Sequence, residues 1–241
     1  MAPTPTPGGA GAGAGLGARL REVAGAGGRL VLGTGSRARR EVMDEVVREL
    51  GLPAEAYEVL KADIDEKAIR RPDPAALVAA LAAAKAEAIT ARHLADARAG
   101  LLITADQVVV HEGRILEKPE TEAEFRAFVA GYAAAPPRTF SGVAVTNLAT
   151  GRRHAGLDVV EIEFAPGGVP EDALARLVAE GEVFWCAGGI MVEHELVRPH
   201  IRAMSGPMDS VFGLPKQLLL QLLEAAVADD AAADEAGQAG S

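Results

Sequence analysis

Asp106 and Lys118 are the residues whose types and positions first suggest chemistry. Asp106 and Gln107 interrupt an otherwise apolar stretch, residues 101–110, whose composition predicts a buried strand. An isolated buried charge is costly, so this carboxylate must be ion-paired, hydrogen-bonded or bound to a metal ion. Lys118 follows a hairpin turn predicted at residues 111–114, and from there its ammonium could face the carboxylate across a cleft. A structural Asp–Lys pair at a strand end explains the same pattern.

A turn rich in glycine and arginine is the second candidate site. Residues 29–32 predict a strand and residues 41–50 a helix, with the turn at residues 33–40 between them. Backbone N–H groups and the positive end of a helix dipole at such a turn favour phosphate. The turn partly matches a dinucleotide fingerprint, with Asp63 as the ribose-binding acid, but its three arginines favour a triphosphate. A solvated basic helix start is the structural alternative.

Two further groups of charged residues could belong to the same site. Asp65 and Glu66 follow a second predicted strand, residues 57–60, and their oxygen atoms could hold a hard cation such as magnesium. A polar loop explains them equally well. Lys85 lies near the middle of a long helix predicted at residues 75–94, where it could contact phosphate or simply face solvent. Composition does not decide between these alternatives.

The composition restricts the classes of function. The 241 residues carry a formal net charge of −10, which disfavours duplex nucleic acid and anionic membranes as main partners. No apolar run approaches the roughly 20 residues that cross a bilayer. Cys186 is the only cysteine, so no intrachain disulfide can form, and the five histidines are too scattered to indicate a metal site.

The sequence divides into one folded region between two terminal segments. Residues 1–28 and residues 225–241 are dominated by small residues, and their composition predicts disorder. Residues 29–224 contain the predicted strands and helices and form the folded domain. The first segment matches neither a secretory signal nor a transit peptide closely, so we expect a cytoplasmic location and leave import into an organelle open.

The motifs along residues 30–223 resemble, in their order, those of Maf proteins, a family of nucleoside triphosphate pyrophosphatases. The resemblance implies an α/β, two-lobed fold like that of Maf and inosine triphosphatase proteins, with a twisted mixed β-sheet flanked by helices and a deep central cleft. It also implies cleavage between the α and β phosphates, giving a monophosphate and pyrophosphate, with a divalent cation (Mg or Mn) as cofactor. The motifs lie at residues 33–41, 65–66, 81–86, 104–106, 118–119, 187–189 and 213–215.

The resemblance also implies roles for individual residues. Asp106 matches the proton acceptor of the family, and Glu66 and Asp106 match acids associated with the metal. The chain departs from the family pattern at Glu117, where glycine often stands, and at Arg37, which replaces a frequent proline. Phosphate-binding positions of the family fall on Ser36, Arg39, Arg40, Lys85 and Lys118.

Three further positions of the family sort substrates by their base, and here they fall on Ala38, Gln107 and Glu193. Members that prefer thymidine and uridine triphosphates carry arginine, threonine and glutamine there, whereas members that prefer 7-methyl-guanosine triphosphate carry tryptophan, glutamine and glutamate. The chain matches the second type at two positions. A glutamate can accept hydrogen bonds from N1–H and the exocyclic amine of guanine, so we expect guanine-type bases to be preferred.

Several alternatives remain open at this point. The chain could be a dTTP/UTP pyrophosphatase, an inosine triphosphate pyrophosphatase, or a non-catalytic nucleotide-binding regulator of septum formation. Because the charged groups required for hydrolysis are all present, we favour the enzyme. The expected partner is a nucleoside triphosphate, with no nucleic acid and no membrane; formation of a homodimer is left open.

Overall fold

The computed structural model describes residues 9–25, 28–94 and 99–238 of the chain. Within that part, strands and α-helices are joined by turns and short 3-10 helices. The strands are β1 (Arg29–Gly33), β2 (Glu58–Leu60), β3 (Gly100–His111), β4 (Arg114–Leu116), β5 (Arg138–Asn147), β6 (Arg153–Phe164) and β7 (Ile201–Met204). The helices are α1 (Gly9–Gly25), α2 (Arg37–Glu49), α3 (Pro74–His93), α4 (Glu122–Tyr132), α5 (Glu171–Glu180), α6 (Met208–Val211) and α7 (Lys216–Gln238).

The strands form one mixed sheet in the order β2-β1-β3-β5-β6-β7, with β4 beside β3. Strands β2, β1 and β3 are parallel to one another. The remaining pairs, β3 with β4 and the series β3-β5-β6-β7, are antiparallel. Helices flank this sheet, and the predicted α/β fold with a mixed sheet is confirmed.

Strand β3 changes neighbours half-way along one of its edges, and this change creates an opening. Strand β5 pairs with β3 from Leu101 to Val110 along the other edge. On the open edge, β1 pairs with residues 100–104, while β4 pairs only with residues 109–111. The backbone of residues 105–108 therefore faces neither strand, and Asp106 lies in this interval.

Helix α3 covers the sheet face on which the Asp106 side chain lies. The Asp73 carboxylate caps it by accepting from Ala76 N (2.8 Å), and Pro74 occupies its first turn. In length and composition α3 is apolar enough to cross a membrane. Its apolar face instead packs on the sheet, and the buried residues of that face are Leu77, Val78, Leu81, Ala82, Lys85, Ala86 and Ile89.

The buried apolar residues separate into two large cores, as a two-lobed fold requires. The first core joins α1, α2 and α7 to one face of strands β1, β3 and β5; Leu32, Ile103 and Val145 are among its members. The second core joins α4 and α5 to β6, with Phe125 and Ile162 almost fully buried. We call each core with its surrounding elements the first and the second lobe; they adjoin along β3, where Ala105 belongs to the first core and Val109 to the second.

The N-terminal segment differs from the expectation of disorder over residues 1–28. Helix α1 packs on the first core through Leu16 and Leu20, which are 1% and 4% exposed. Their i, i+4 spacing places both on one helix face, a feature that small-residue composition conceals. Gly17 fits closely against the backbone of Leu50, where a Cβ atom would lie 2.2 Å from the carbonyl oxygen. The expectation is therefore wrong for α1, and residues 1–8, 26 and 27 lie outside the described part.

The expectation of disorder over residues 225–241 is also wrong where the chain is described. Helix α7 continues to Gln238, with Ala226 and Val227 buried in the first core. Asp229 then accepts from Arg152 at 3.0 Å and pairs with His154 at 2.8 Å. The helix continues past residue 225 because Ala226 and Val227 contact the first core and Asp229 contacts Arg152 and His154. Residues 239–241 lie outside the described part.

Helix α2 begins before the predicted residue 41, and strand pairing sets the limits of β6 and β7. Helix α2 begins at Arg37 because Ser36 provides its N-cap. Strand β6 begins at Arg153, since the whole antiparallel pairing with β5 extends that far. Strand β7 is short and lacks an apolar pattern; it forms by pairing with the end of β6.

Candidate active site

The centre of the candidate site is a buried cation held between two carboxylates. Lys85 Nζ lies 2.8 Å from Asp106 Oδ1 and 2.9 Å from Glu66 Oε1. Lys85 is 7% exposed and Asp106 8%, so helix α3 and strand β3 enclose this pair almost completely. Thr104, on the same face of β3, donates from Oγ1 to the carbonyl of Ala82 (2.8 Å) and fixes the helix against the strand.

This arrangement corrects one expectation and resolves another. The partner of Asp106 is Lys85, which reaches it from the neighbouring helix, and not Lys118 across the cleft. The alternative that Lys85 faces solvent is also excluded, because its ammonium is buried between the carboxylates. A buried lysine requires such partners, since desolvation otherwise penalises its charge.

Glu66 enters the cluster from a short 3-10 helix, Glu66–Ala68, whose first turn Asp65 caps. Burial opposes ionisation of Glu66, but the attraction of Lys85, Lys118 and Arg39 outweighs it and holds the pKa of Glu66 below its usual value. Glu66 is half-exposed while Asp106 is buried. The cluster therefore has one solvent-facing carboxylate and one enclosed carboxylate.

The predicted phosphate turn lies at the end of β1, at the start of α2. Thr34 Oγ1 accepts from Ser36 N (3.0 Å), and Ser36 Oγ accepts from Arg39 N (3.4 Å). These bonds shape a tight turn at the N-terminus of a helix of 13 residues, where the helix dipole favours an anion. The side chain of Lys61 lies against Gly35 and adds a cation that the sequence analysis did not identify.

Arg39 fills the opening in the edge of β3. Its Nη1 donates to the carbonyl of Ala105 (2.8 Å). Strand β1 does not pair with Ala105, because it ends at Gly33 opposite Thr104. Burial lowers the pKa of the Arg39 guanidinium, and the charges of Asp106 and Glu66 oppose that change. Arg39 Nε is buried without a hydrogen-bond acceptor, so this guanidinium retains a donor beside the cluster.

Gly213 provides the space that Arg39 occupies. A Cβ atom at this position would lie 3.0 Å from Arg39 Nε and 3.1 Å from Nη2. Gly213 also has a φ of +83°, a backbone conformation that glycine adopts without strain. Gly213, the first residue of the motif at residues 213–215, thus leaves the space that the Arg39 side chain occupies.

Lys118 approaches the cluster from the loop after β4. Its charge contributes to the lowered pKa of Glu66, which places the two within electrostatic reach. Glu117, the departure from the family pattern, pairs with Arg70 at 3.1 Å, and its carbonyl accepts from Gly188 N at 2.8 Å. The glutamate is therefore neutralised locally, and the loop remains anchored to the second lobe.

Arg40 does not join the Asp106 cluster. Its side chain is exposed and lines an open depression of about 430 Å³ that Tyr57 also borders. Tyr57 donates to the Asp44 carboxylate at 2.6 Å on the same surface. The structure therefore gives no support to Arg40 as a phosphate ligand beside Asp106.

The three positions that the sequence predicts to select the base lie on different elements. Gln107 points to the sheet face opposite Asp106, and its Nε2 donates to the carbonyls of Ser210 (3.1 Å) and Val211 (3.0 Å). Its amide donors are thus used within the protein, and Oε1 remains as the group with which it can read a base. Ala38 lies in the first turn of α2, where its methyl group offers no ring.

Glu193 follows the buried Met191 and Val192 in the second lobe. Burial of its carboxyl raises its pKa above the usual 4.5, and the nearby carboxylates of Glu182 and Glu41 raise it further. The residue as a whole is exposed, so its crowded carboxyl group still opens to solvent. A carboxylate in this position is an acceptor for hydrogen-bond donors of a ligand.

A family model for Maf-like proteins matches residues 29–226 of the chain. The chain belongs to the Maf family.

Curated relatives are named as 7-methyl-GTP pyrophosphatases, as dTTP/UTP pyrophosphatases or, in Streptomyces coelicolor, as a "Nucleoside triphosphate pyrophosphatase". A "7-methyl-GTP pyrophosphatase" of Dictyostelium discoideum is 32% identical over 80% of this chain and 95% of the relative. A protein of the same name in Alkalilimnicola ehrlichii is 35% identical over 80% of this chain and 91% of its own length. A "dTTP/UTP pyrophosphatase" of Moorella thermoacetica is 34% identical over 81% of this chain and 93% of its own length. Overall identity therefore does not separate the two substrate types.

The donor set of this Maf protein fits a magnesium ion bound jointly by protein and substrate. No cluster of three or more His, Cys, Asp and Glu side chains suited to a metal occurs in the described ranges. Mg²⁺ is nevertheless often bound through only one or two carboxylates together with substrate phosphates. Glu66 and Asp106 supply two such carboxylates, joined here through Lys85.

Proposed function

We propose that this Maf-family protein hydrolyses nucleoside triphosphates between the α and β phosphates, releasing a nucleoside monophosphate and pyrophosphate. The observation that carries the proposal is the Asp106–Lys85–Glu66 cluster, which lies in the open interval of β3 beside the start of α2. A potential proton acceptor, buried cations and a helix N-terminus converge there. This combination suits attack by water on a polyanionic phosphate chain.

In the proposed mechanism, Asp106 accepts the proton of the attacking water through its carboxylate. Lys85 orients that carboxylate by its hydrogen bond and contributes positive charge beside the phosphates. Arg39, which Nη1 fixes to the carbonyl of Ala105, adds positive charge beside the phosphates, and the backbone N–H groups of the turn around Ser36 bind phosphate oxygens. Lys118 holds the leaving pyrophosphate from the side of the second lobe.

Glu66 and Asp106 are the residues that would hold the divalent cation. When bound, the cation offsets the charge that develops on the phosphate oxygens. Lys85 already neutralises part of the charge of both carboxylates. The phosphates of the substrate therefore have to complete the ligand set, and we expect cation and nucleotide to bind cooperatively.

We further propose that the preferred base is of the guanine type, with 7-methyl-guanosine triphosphate ahead of thymidine and uridine triphosphates. The Glu193 carboxylate can accept from both N1–H and the exocyclic amine of guanine, while the pyrimidine edge offers one donor between repelling oxygens. Gln107 adds an acceptor oxygen but no free amide donor. This pair of acceptors favours a base edge rich in donors.

The test is pyrophosphate release from a panel of triphosphates, measured with and without magnesium or manganese. We expect cation-dependent release, fastest with 7-methyl-GTP or GTP. Release that is fastest with dTTP and UTP would favour the dTTP/UTP pyrophosphatase alternative. Release that is fastest with inosine triphosphate would favour an inosine triphosphate pyrophosphatase. Nucleotide binding without turnover in either metal would instead support the non-catalytic regulator.

A further inference from the structure

Trp185 is the sole tryptophan of the chain, and 77% of it is exposed. It ends the 3-10 helix Glu182–Trp185, whose other large residues pack inward: Val183 is fully buried and Phe184 contacts the second core. A large aromatic ring usually buries most of its surface, because its transfer from water is favourable. The exposure of Trp185 therefore marks a surface that a ligand or a partner can cover.

The backbone that presents Trp185 is held firmly on both sides. Cys186 N donates to the carbonyl of Val183 (3.3 Å), and Gly188 N donates to the carbonyl of Glu117 (2.8 Å). Tyr132 Oη donates to the carbonyl of Gly188 (2.7 Å) from the buried side. The ring is thus displayed by an anchored segment, and that segment lies directly beside the loop that carries Lys118.

The residues next to Trp185 in the chain lie near two groups of the candidate site: Lys118, which we assign to the phosphates, and Glu193, which we assign to the base. Burial, together with the charges of Glu193 and Glu182, raises the pKa of the adjacent Cys186 thiol to about 11, and the charge of Lys118 opposes this change. Lys118 also acts on Glu66 in the central cluster. The segment that carries Trp185 is bonded to the loop of Lys118, through Gly188 N and the Glu117 carbonyl (2.8 Å), and continues along the chain to Glu193.

The charges around this ring favour a cationic ligand. Glu193 lies within electrostatic reach of Glu182 and of Glu41, which approaches from α2 in the first lobe. Arg37 pairs with Glu41 at 2.7 Å and also lies within electrostatic reach of Glu182. With Lys118 as the other nearby cation, the three carboxylates still exceed the two cations by one negative charge. An aromatic face beside carboxylates attracts a flat cation, and a guanine methylated at N7 carries a positive charge on its ring.

We propose that Trp185 stacks on the purine of the bound nucleotide and selects a methylated, cationic base, a role that rests on the proposed pyrophosphatase function. Ala38 offers no ring from the first lobe, so Trp185 supplies one from the second. Glu193 then binds the edge of the base while Trp185 covers its face. This assignment makes Trp185 a specificity-determining residue that the motifs of the family did not indicate.

Fluorescence provides a direct test, because Trp185 is the only tryptophan. The wild-type protein is titrated with 7-methyl-GMP, GMP and dTMP, and calorimetry measures binding of the same ligands. We expect 7-methyl-GMP to quench the emission most strongly, with a midpoint that equals the calorimetric Kd. Binding detected by calorimetry with unchanged emission would overturn the proposal.

Kinetics of three variants then test selectivity. Trp185→Ala should lower kcat/KM for 7-methyl-GTP by about 5- to 30-fold relative to GTP, mainly through KM, as expected for a lost cation–π contact. Trp185→Phe should retain most of the preference because it keeps a ring. Leu157→Ala, which alters another exposed apolar residue (44% exposed), is the matched control and should leave the ratio unchanged.

The outcomes separate this inference from the proposed function. If the wild-type protein hydrolyses no triphosphate, the proposed function fails and the role of Trp185 fails with it. If the wild type hydrolyses 7-methyl-GTP and Trp185→Ala leaves the 7-methyl-GTP to GTP ratio unchanged, only the role of Trp185 fails. An equal loss with all substrates would also overturn it, since that result indicates a general contact or a surface for another partner.

Discussion

Lys85 Nζ donates a 2.8 Å hydrogen bond to Oδ1 of Asp106 from a position 21 residues earlier in the chain. The bond joins the middle of α3 to the interval of β3 where neither β1 nor β4 pairs. It places the carboxylate that we propose as the proton acceptor and a cation within one enclosed site. Because both groups are buried, the same contact serves stability and chemistry, and variants can separate these two contributions.

Asp106→Asn should reduce kcat by about 10²- to 10⁴-fold, since the amide cannot accept the proton of the attacking water. The variant keeps the size of the side chain, and Lys85 retains Glu66 as a partner, so the protein should remain folded. Pyrophosphate release at saturating substrate measures the effect. Asp63→Asn, which removes only a surface ion pair with Arg92, is the control. Near-normal turnover by Asp106→Asn would falsify the proposed role.

Lys85→Met should lower the free energy of unfolding by about 3–5 kcal/mol, because it leaves the Asp106 carboxylate buried without its cation. The double variant Lys85→Met/Asp106→Leu should recover much of this loss, since apolar residues of similar volume can replace a buried ion pair. Urea denaturation of the two single variants and the double variant measures the coupling. Additive effects of the two substitutions would contradict the assigned contact.

Gly213→Ala should reduce activity as well as stability. The new Cβ would lie 3.0 Å from Arg39 Nε, and the φ of +83° would strain an alanine. Gly151→Ala is the matched control, because its φ of +71° is similar while a Cβ there meets no atom within 4 Å. Each substitution should cost about 1 kcal/mol through backbone strain, but only Gly213→Ala should raise KM. Equal kinetics for the two variants would show that Arg39 does not depend on this space.

Lowering the pH from 7 towards 5 should reduce the preference for 7-methyl-GTP over dTTP. The pKa of Glu193 is raised above 4.5, so this carboxyl gains a proton, and loses acceptor capacity, at a higher pH than an ordinary glutamate. Ratios of kcat/KM across this range measure the change. In Glu193→Gln the ratio of kcat/KM for 7-methyl-GTP to that for dTTP should be smaller and insensitive to pH. The control is Glu195→Gln, which changes an exposed ion-pair partner of Arg176 and should behave like the wild type. An unchanged preference in Glu193→Gln would remove Glu193 from the base site.

Leu16→Ala and Leu20→Ala should each lower the free energy of unfolding by about 2–5 kcal/mol, the range for large-to-small changes in a core. The exposed Arg19 on the same helix provides the control, because Arg19→Ala should change stability by about 0.5 kcal/mol or less. Thermal or urea unfolding measures these differences. If the leucine variants match the control, the helix contributes nothing to the fold, as its composition alone had suggested.

The hairpin at the end of β3 and the strand–turn–helix at its neighbour β1 could be predicted because their signals are local. A two-residue turn at Glu112 and Gly113 separates β3 from β4, and both residues have positive φ, as a tight hairpin requires. The apolar spacing of α2 is local as well, although the prediction missed the N-cap at Ser36 and started this helix at residue 41. Secondary structure of this kind depends on residues within one or two turns of each other.

The terminal helices could not be predicted from composition, because their stability comes from contacts with distant residues. Leu16 and Leu20 gain their burial from the first core, and Asp229 is held by Arg152, just before β6, and by His154 of β6. The alanine- and glycine-rich sequence around these residues gives no hint of such partners. Tertiary packing therefore overrides a composition that is typical of disorder.

The sequence by itself determined that Asp106 is a carboxylate inside an apolar strand and requires a partner, and its ordered motifs indicated the Maf family. Only the tertiary structure decided that this partner is Lys85, that Glu66 shares it, and that Arg40 lies elsewhere. The physical reason is that hydrophobic periodicity reports which face of an element is buried but not what covers that face. The partner is set by the pairing of β1, β4 and β5 around β3 and by the packing of α3 on this sheet.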